Sequence, residues 1–94
     1  MEITDVRISL RQEERLKAFV TITFDACFVV RGVKIIDGPS GLFVAMPSRR
    51  KNDGTYQDIA HPIHSGMRER IEEKLLAEYR AMLERQQQPA VETG

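Results

Sequence analysis

The spacing of apolar residues changes once along this chain, and that change limits the folds it can adopt. In residues 3–10, Thr4, Val6, Ile8 and Leu10 share one face and polar residues occupy the other. This period of two is typical of a half-buried strand. After Ser65 the apolar residues recur every three or four positions, at Met67, Ile71, Leu75, Tyr79 and Met82. The change in period predicts a sheet followed by one amphipathic helix.

Strand character continues through most of the chain before that helix. Residues 18–24 alternate cleanly, whereas residues 27–37 change phase around Gly32, which predicts a bulge. Residues 42–46 are uniformly apolar, and residues 55–60 follow an Asp53-Gly54 turn signal. We therefore predict an α+β fold, in which an antiparallel sheet of four to five strands precedes one C-terminal amphipathic helix.

A chain of 94 residues has room for a single domain. We place this domain at residues 1–85 and a flexible polar tail at residues 86–94. So small a domain buries only about 60–65% of the surface of its unfolded chain, so a second copy would add stability. Residues 42–46 need burial on both faces, although one face of a small sheet usually stays in water. We therefore predict a homodimer interface at Leu42, Phe43, Val44, Ala45 and Met46.

The cellular compartment can be argued from what the sequence lacks. Cys27 is the one cysteine, so an intramolecular disulfide is excluded and a reducing compartment fits. The N-terminus has no export signal, and no apolar run approaches the ~18 residues of a membrane helix. We expect a cytoplasmic protein with no membrane partner.

The titratable residues form no recognisable reaction centre. Cys27 lies among apolar neighbours, where a small buried side chain is commoner than a nucleophile. Pro62 separates His61 from His64, so the two rings do not share a helix face as metal ligands would. Asp37 precedes a glycine and is interpreted as a turn former. We expect no catalytic residue, metal site, cofactor or small-molecule substrate.

Three adjacent cations, Arg49, Arg50 and Lys51, lie just before the predicted turn. The chain has 14 Lys+Arg and 14 Asp+Glu, so any attraction to nucleic acid must come from such local clustering. The local sequence leaves open a solvated tip that discourages aggregation and a tip that binds anions. Two copies would present about six cations, enough for DNA affinity. No aromatic residue interrupts the basic run, so base stacking is not the expected mode.

Three stretches resemble the SpoVG family of bacterial septation regulators: MEITDVRI at the start, IIDGPSGLFVAMPSRR at 35–50 and DIAHPIHS at 58–65. The resemblance extends over residues 1–83. It implies a small α+β homodimer formed through its strands. It also implies site-preferring binding to DNA, and in some members to RNA, by regulators of gene expression and, in spore formers, of septation. The family's contacts are attributed to the basic residues after Met-Pro-Ser and the turn that follows, here Arg49, Arg50, Lys51 and Asn52.

Two departures from the family pattern affect these expectations. Lys51-Asn52 stand where the family commonly has Thr-Pro, which adds a cation and a more flexible turn. His64 stands where asparagine is usual, and because histidine is a poorer cap, we predict that Ser65 caps the helix. The leading hypothesis is a dimeric, non-enzymatic nucleic-acid-binding regulator. The alternative is an adaptor in cell division that engages a partner protein without touching nucleic acid.

Overall fold

The computed structural model describes residues 1–87, which form six strands and one helix. The elements are β1 (Ile3–Leu10), β2 (Leu16–Phe24), β3 (Phe28–Gly38), β4 (Gly41–Ala45), β5 (Ser48–Arg50), β6 (Tyr56–Asp58) and α1 (Ser65–Gln87). The first four strands form an antiparallel sheet in the order β1-β2-β3-β4, and β5 and β6 form a separate two-stranded sheet. The predicted α+β class is confirmed, with the last hairpin apart from the main sheet.

The core lies between one face of the main sheet and α1. The four residues of β2 that were predicted to share a face, Ala18, Val20, Ile22 and Phe24, are all buried. The other buried residues come from β3, β4, the residue after β4, and α1: Val33, Ile35, Val44, Met46, Ile71, Leu75 and Tyr79. The alternation in β2 and the stripe on α1 thus meet in one apolar layer.

The predicted bulge in β3 is confirmed at Gly32. Val20 pairs with Val33 and Ile22 pairs with Val30, so Arg31 and Gly32 together face the single residue between them on β2. Gly32 has a φ of +80°, in the left-handed region that favours glycine. The extra residue brings both Val30 and Val33 to the core side despite their odd spacing.

The N-terminal end of β1 differs from its predicted pattern. The register shifts between Ile3 and Asp5, so Ile3 packs against the core and Thr4 is exposed. The Thr4 hydroxyl donates to the Thr23 carbonyl at 3.2 Å and accepts from the Ala26 amide at 2.9 Å. Placing Thr4 on the apolar face was therefore wrong, because its hydroxyl binds the backbone around the β2–β3 turn.

The β2–β3 turn also corrects the prediction for Cys27. Asp25 and Ala26 adopt left-handed backbone with φ of 51° and 54°, and the Cys27 amide donates to the Phe24 carbonyl at 3.0 Å. β3 begins one residue later than predicted, at Phe28. Cys27 therefore belongs to the turn and is exposed, whereas a buried side chain was expected.

His64, not Ser65, caps the N-terminus of α1. The Met67 amide donates to His64 Nδ1 at 3.2 Å, and the Arg68 amide donates to the His64 carbonyl at 3.3 Å. The ring nitrogen thus takes the role that an asparagine or serine oxygen usually has at this position. The prediction that Ser65 caps the helix was wrong, because the imidazole turns back over the first helical turn.

The C-terminal end of α1 overlaps the segment that was predicted to be a flexible tail. The helix continues through Gln87, so the first two residues of the segment 86–94 are helical. The rest of that prediction, residues 88–94, lies outside the described residues.

Over its described length α1 is not apolar enough to cross a membrane. An ion pair between Lys74 and Glu78, at 3.2 Å, lies along its surface.

Candidate nucleic-acid interface

Strands β5 and β6, with the loop between them, form a hairpin that we call the basic arm (residues 48–58). Within residues 1–87 these two strands pair only with each other. Arg49 lies opposite Gln57, and Arg50 lies opposite Tyr56. At the base of the arm, the Ile59 amide donates to the Pro47 carbonyl at 2.7 Å. The arm is therefore anchored at one end, and its loop forms the free end.

Backbone hydrogen bonds close the loop of the arm, as the Asp53-Gly54 turn signal predicted. The Lys51 amide donates to the Thr55 carbonyl at 2.7 Å, and the Gly54 amide donates to the Lys51 carbonyl at 3.0 Å. Gly54 has a φ of +89°, which an L-residue with a side chain adopts only with strain. The position of Lys51 is thus set by the backbone of the turn.

The carboxylate of Asp53 stabilises the same turn. It accepts from the Thr55 hydroxyl at 2.6 Å and from the Thr55 amide at 3.0 Å. The hydroxyl hydrogen bond first, and then the amide bond, lower the pKa of Asp53 below its usual 3.8. Its contribution to the turn is therefore present at neutral pH and is lost only as the pH falls through that lowered pKa.

The three cations of the basic arm are exposed, and none of them forms an ion pair with an acidic side chain of residues 1–87. Among residues 1–87, no carboxylate oxygen lies within 4.0 Å of the charged nitrogens of Arg49, Arg50 or Lys51. Even the nearest acid in sequence, Asp53, accepts its side-chain hydrogen bonds from Thr55. The arm therefore presents positive charge that no ion pair of the described chain offsets.

The structure brings together all four residues predicted to contact nucleic acid. A shallow concavity of about 350 Å³ is lined by Arg49, Arg50, Lys51, Asn52, Asp53 and Gln57. Two guanidiniums, an ammonium and side-chain amides supply many hydrogen-bond donors there, and Asp53 is the one acid of the lining. Such a surface is suited to an anion such as a phosphate group.

The sequence reasoning missed an aromatic residue of the basic arm, which lies beside the concavity and does not line it. Tyr56 lies opposite Arg50 in the arm, and this residue is 69% exposed. It is on the return strand, so inspection of the basic run alone does not reveal it. Reading the strand pairing outward from the Asp53-Gly54 turn could have placed it beside Arg50.

The residues of the predicted dimer interface lie on or next to β4, at one edge of the main sheet. Val44 and Met46 are buried in the chain's own core, so their side chains already have partners. Phe43 points to the other face and is 41% exposed, and Leu42 and Ala45 are half-buried. Burial of one face is thus achieved within the chain, whereas the outer edge of β4 pairs with no other strand of residues 1–87 and Phe43 stays partly exposed.

His61 and His64, whose spacing raised the question of a metal site, contact different groups. His64 caps α1, whereas His61 Nδ1 lies 3.1 Å from the Pro62 carbonyl. Within the part of the chain that the structure describes, no three His, Cys, Asp or Glu side chains are grouped so that they could hold a metal ion.

Comparison with known proteins gives a consistent result. The SpoVG family profile matches residues 1–81. A protein named "Putative septation protein SpoVG" from Anaeromyxobacter sp. (strain Fw109-5) is 60% identical over 79 residues, which cover 84% of this chain and 81% of that protein. A protein of the same name from Myxococcus xanthus is 51% identical over 87 residues, covering 93% and 88%. Another, from Agathobacter rectalis, is 52% identical over 85 residues, covering 89% and 98%.

Proposed function

This chain belongs to the SpoVG family, and from that premise we propose that it is a dimeric regulator that binds DNA through its basic arm. The main support is the cluster of three exposed cations at the free end of the arm, with no carboxylate of residues 1–87 within 4.0 Å. The chain as a whole is neutral, so this cluster is a local source of attraction for phosphate. A role in septation is proposed from the names of its relatives.

The shape of the basic arm suggests how it would contact duplex DNA. The major groove admits a two-stranded ribbon, and neighbouring residues of a strand point to opposite faces. Arg49 and Arg50 would then reach phosphates on opposite walls of the groove, and Lys51 would add a contact from the loop. Asn52, at the leading end, has an amide that can pair with a base edge, as can either arginine.

A second copy would double this surface, and we propose that it pairs along the open edge of β4. We expect the native chain to sediment as a dimer and the Phe43→Lys variant as a monomer, because an ammonium would have to be buried between the copies. Ile63→Lys is the matched control, since Ile63 is 92% exposed and remote in sequence from this edge. Sedimentation equilibrium measures both. Equal dimer dissociation constants for native chain and Phe43→Lys would contradict this interface.

The proposed function is tested by removing the charge of the arm. We expect the triple variant Arg49→Ala, Arg50→Ala, Lys51→Ala to bind a labelled promoter-length duplex at low salt about a hundredfold or more weaker than the native chain. The matched control removes three exposed cations elsewhere, in Arg15→Ala, Arg80→Ala, Arg85→Ala. It should stay within about threefold of native affinity, because its charges lie outside the arm. Fluorescence anisotropy gives both values, and equal losses would contradict a specific role for the arm.

The adaptor hypothesis has its own support in exposed apolar side chains. Phe28, Ile59 and Ile63 are all more than half exposed, and such side chains are common at protein interfaces. If the native chain fails to bind duplex DNA, a partner protein becomes the better explanation. Binding through apolar contacts would change little with salt, whereas phosphate contacts weaken steeply.

A further inference from the structure

Tyr56 is an unusual residue to find at the end of a charged hairpin. The residue is 69% exposed, and no group of residues 1–87 hydrogen-bonds its hydroxyl within 3.5 Å. The other tyrosine, Tyr79, is buried in the core. Tyr56 therefore adds little to the packing of its own chain, and a large exposed aromatic at a candidate site suggests contact with a ligand.

The strand register places this ring beside the cations. Tyr56 lies directly opposite Arg50, so the two side chains leave the same face of the arm, with Cβ atoms about 5 Å apart. Elsewhere in the chain Arg11 lies 5.1 Å from the centroid of the Phe19 ring and covers it. Within residues 1–87 no cation covers Tyr56 in this way, so its ring is open.

The charges on the two sides of Tyr56 differ in sign, which favours one orientation of a bound nucleotide. Tyr56 faces Arg50 directly across the arm, and Lys51 is the next residue towards the loop, whereas towards the base the next residue on the Tyr56 face is Asp58. A phosphate would be attracted to the cations and repelled by the carboxylate. A nucleotide whose phosphate lies at Arg50 would then have its base within reach of the Tyr56 ring.

We propose that Tyr56 stacks on an unpaired base, so that the basic arm binds single-stranded nucleic acid as well as duplex; this rests on the proposed function of the arm. Bases inside a duplex are already stacked on each other and present only their edges to a hairpin. An exposed aromatic beside cations is the arrangement that holds single strands, with cations on the backbone and a ring against the base. Stacking accepts any base, so Tyr56 contributes affinity rather than sequence preference.

The chain provides a direct optical test, because it has no tryptophan and two tyrosines. In Tyr79→Phe the one remaining tyrosine is Tyr56, so tyrosine emission reports on the arm alone. We expect an unlabelled oligothymidine of about 12 nucleotides to quench this emission on binding, and a duplex of the same length to quench it much less. Oligouridine and oligodeoxyuridine are titrated in parallel, since these two strands differ only in the ribose 2′-hydroxyl and a difference between them would assign the strand preference to that group.

Affinity measurements on variants separate stacking from charge. We expect Tyr56→Ala to bind the labelled single strand between about fivefold and a hundredfold more weakly, with duplex affinity within about twofold of native. Tyr56→Phe keeps the ring and should bind both ligands like the native chain. Ile63→Ala, which removes an apolar side chain that is also exposed, is the matched control and should change neither affinity.

The outcomes distinguish this inference from the proposed function. Binding of duplex and single strand by the native chain, with unchanged single-strand affinity in Tyr56→Ala or no quenching of Tyr56, would overturn stacking and leave the arm as a phosphate site. Equal loss of both affinities in Tyr56→Ala, with a native circular dichroism spectrum, would also overturn it. If the native chain binds neither ligand at low salt, the proposed function and the stacking role both fail.

Discussion

The affinity of the native chain for duplex DNA is expected to fall about a thousandfold between about 50 mM and 200 mM monovalent salt. In the proposed dimer two basic arms place about six cations on phosphates, and each neutralised phosphate contributes a slope of about −0.9 in log K against log salt concentration. The expected slope is therefore about −5. Fluorescence anisotropy of a labelled duplex across a salt series measures it.

The charge variants show whether this slope belongs to the basic arm. Arg49→Ala, Arg50→Ala, Lys51→Ala should have a slope close to zero, whereas the control Arg15→Ala, Arg80→Ala, Arg85→Ala should keep the native slope. A native slope of about half the expected value would indicate that one arm of the dimer engages the duplex. A native slope in the arm variant would refute the arm as the source of the phosphate contacts.

Leu75→Ala is expected to lower the free energy of unfolding by about 2–5 kcal/mol. Leu75 is 0% exposed and lies in the core layer between α1 and the main sheet, so its truncation removes apolar contacts and leaves a cavity. Since domains have a total stability of about 5–15 kcal/mol, this is a large fraction for a chain of 94 residues. Urea unfolding followed by circular dichroism at a fixed protein concentration measures the change.

The neighbouring residue provides the control for that stability measurement. Leu76 is half-buried at the margin of the same core, so Leu76→Ala removes the same atoms from a site that can relax into solvent. We expect a loss of about 1 kcal/mol there. If Leu76→Ala costs as much as Leu75→Ala, the stripe on α1 does not face the sheet as the structure has it.

The parts of this fold that the sequence predicted are those decided by short-range patterns. Alternation in β2, the helical stripe of α1 and the phase change at Gly32 each depend on which side of a strand or helix is apolar. The errors arise where one side chain binds a distant backbone or where a turn has unusual geometry. Thr4 is held by groups near the β2–β3 turn, and left-handed residues in that turn move Cys27 out of β3.

The cap of α1 and the position of Tyr56 in the candidate site were likewise not predictable from local sequence patterns. The general preference of residue types for the N-cap favours serine over histidine. It does not show that Nδ1 of His64 faces the first helical turn and accepts from a backbone amide there. The clustering of Arg49, Arg50 and Lys51 is visible in the sequence because they are adjacent. Tyr56 joins them only through strand register, which a list of neighbours along the chain does not contain.

The separation of the basic arm from the main sheet has a consequence for how this protein can diverge. The arm shares no strand ladder with the four-stranded sheet within residues 1–87, and none of its residues belongs to the buried core. Substitutions at distant sites with no shared partners have nearly additive effects on stability. Substitutions at the loop end of the arm can therefore change its charge while the folded core persists, and substitutions in the core can accumulate without changing that charge.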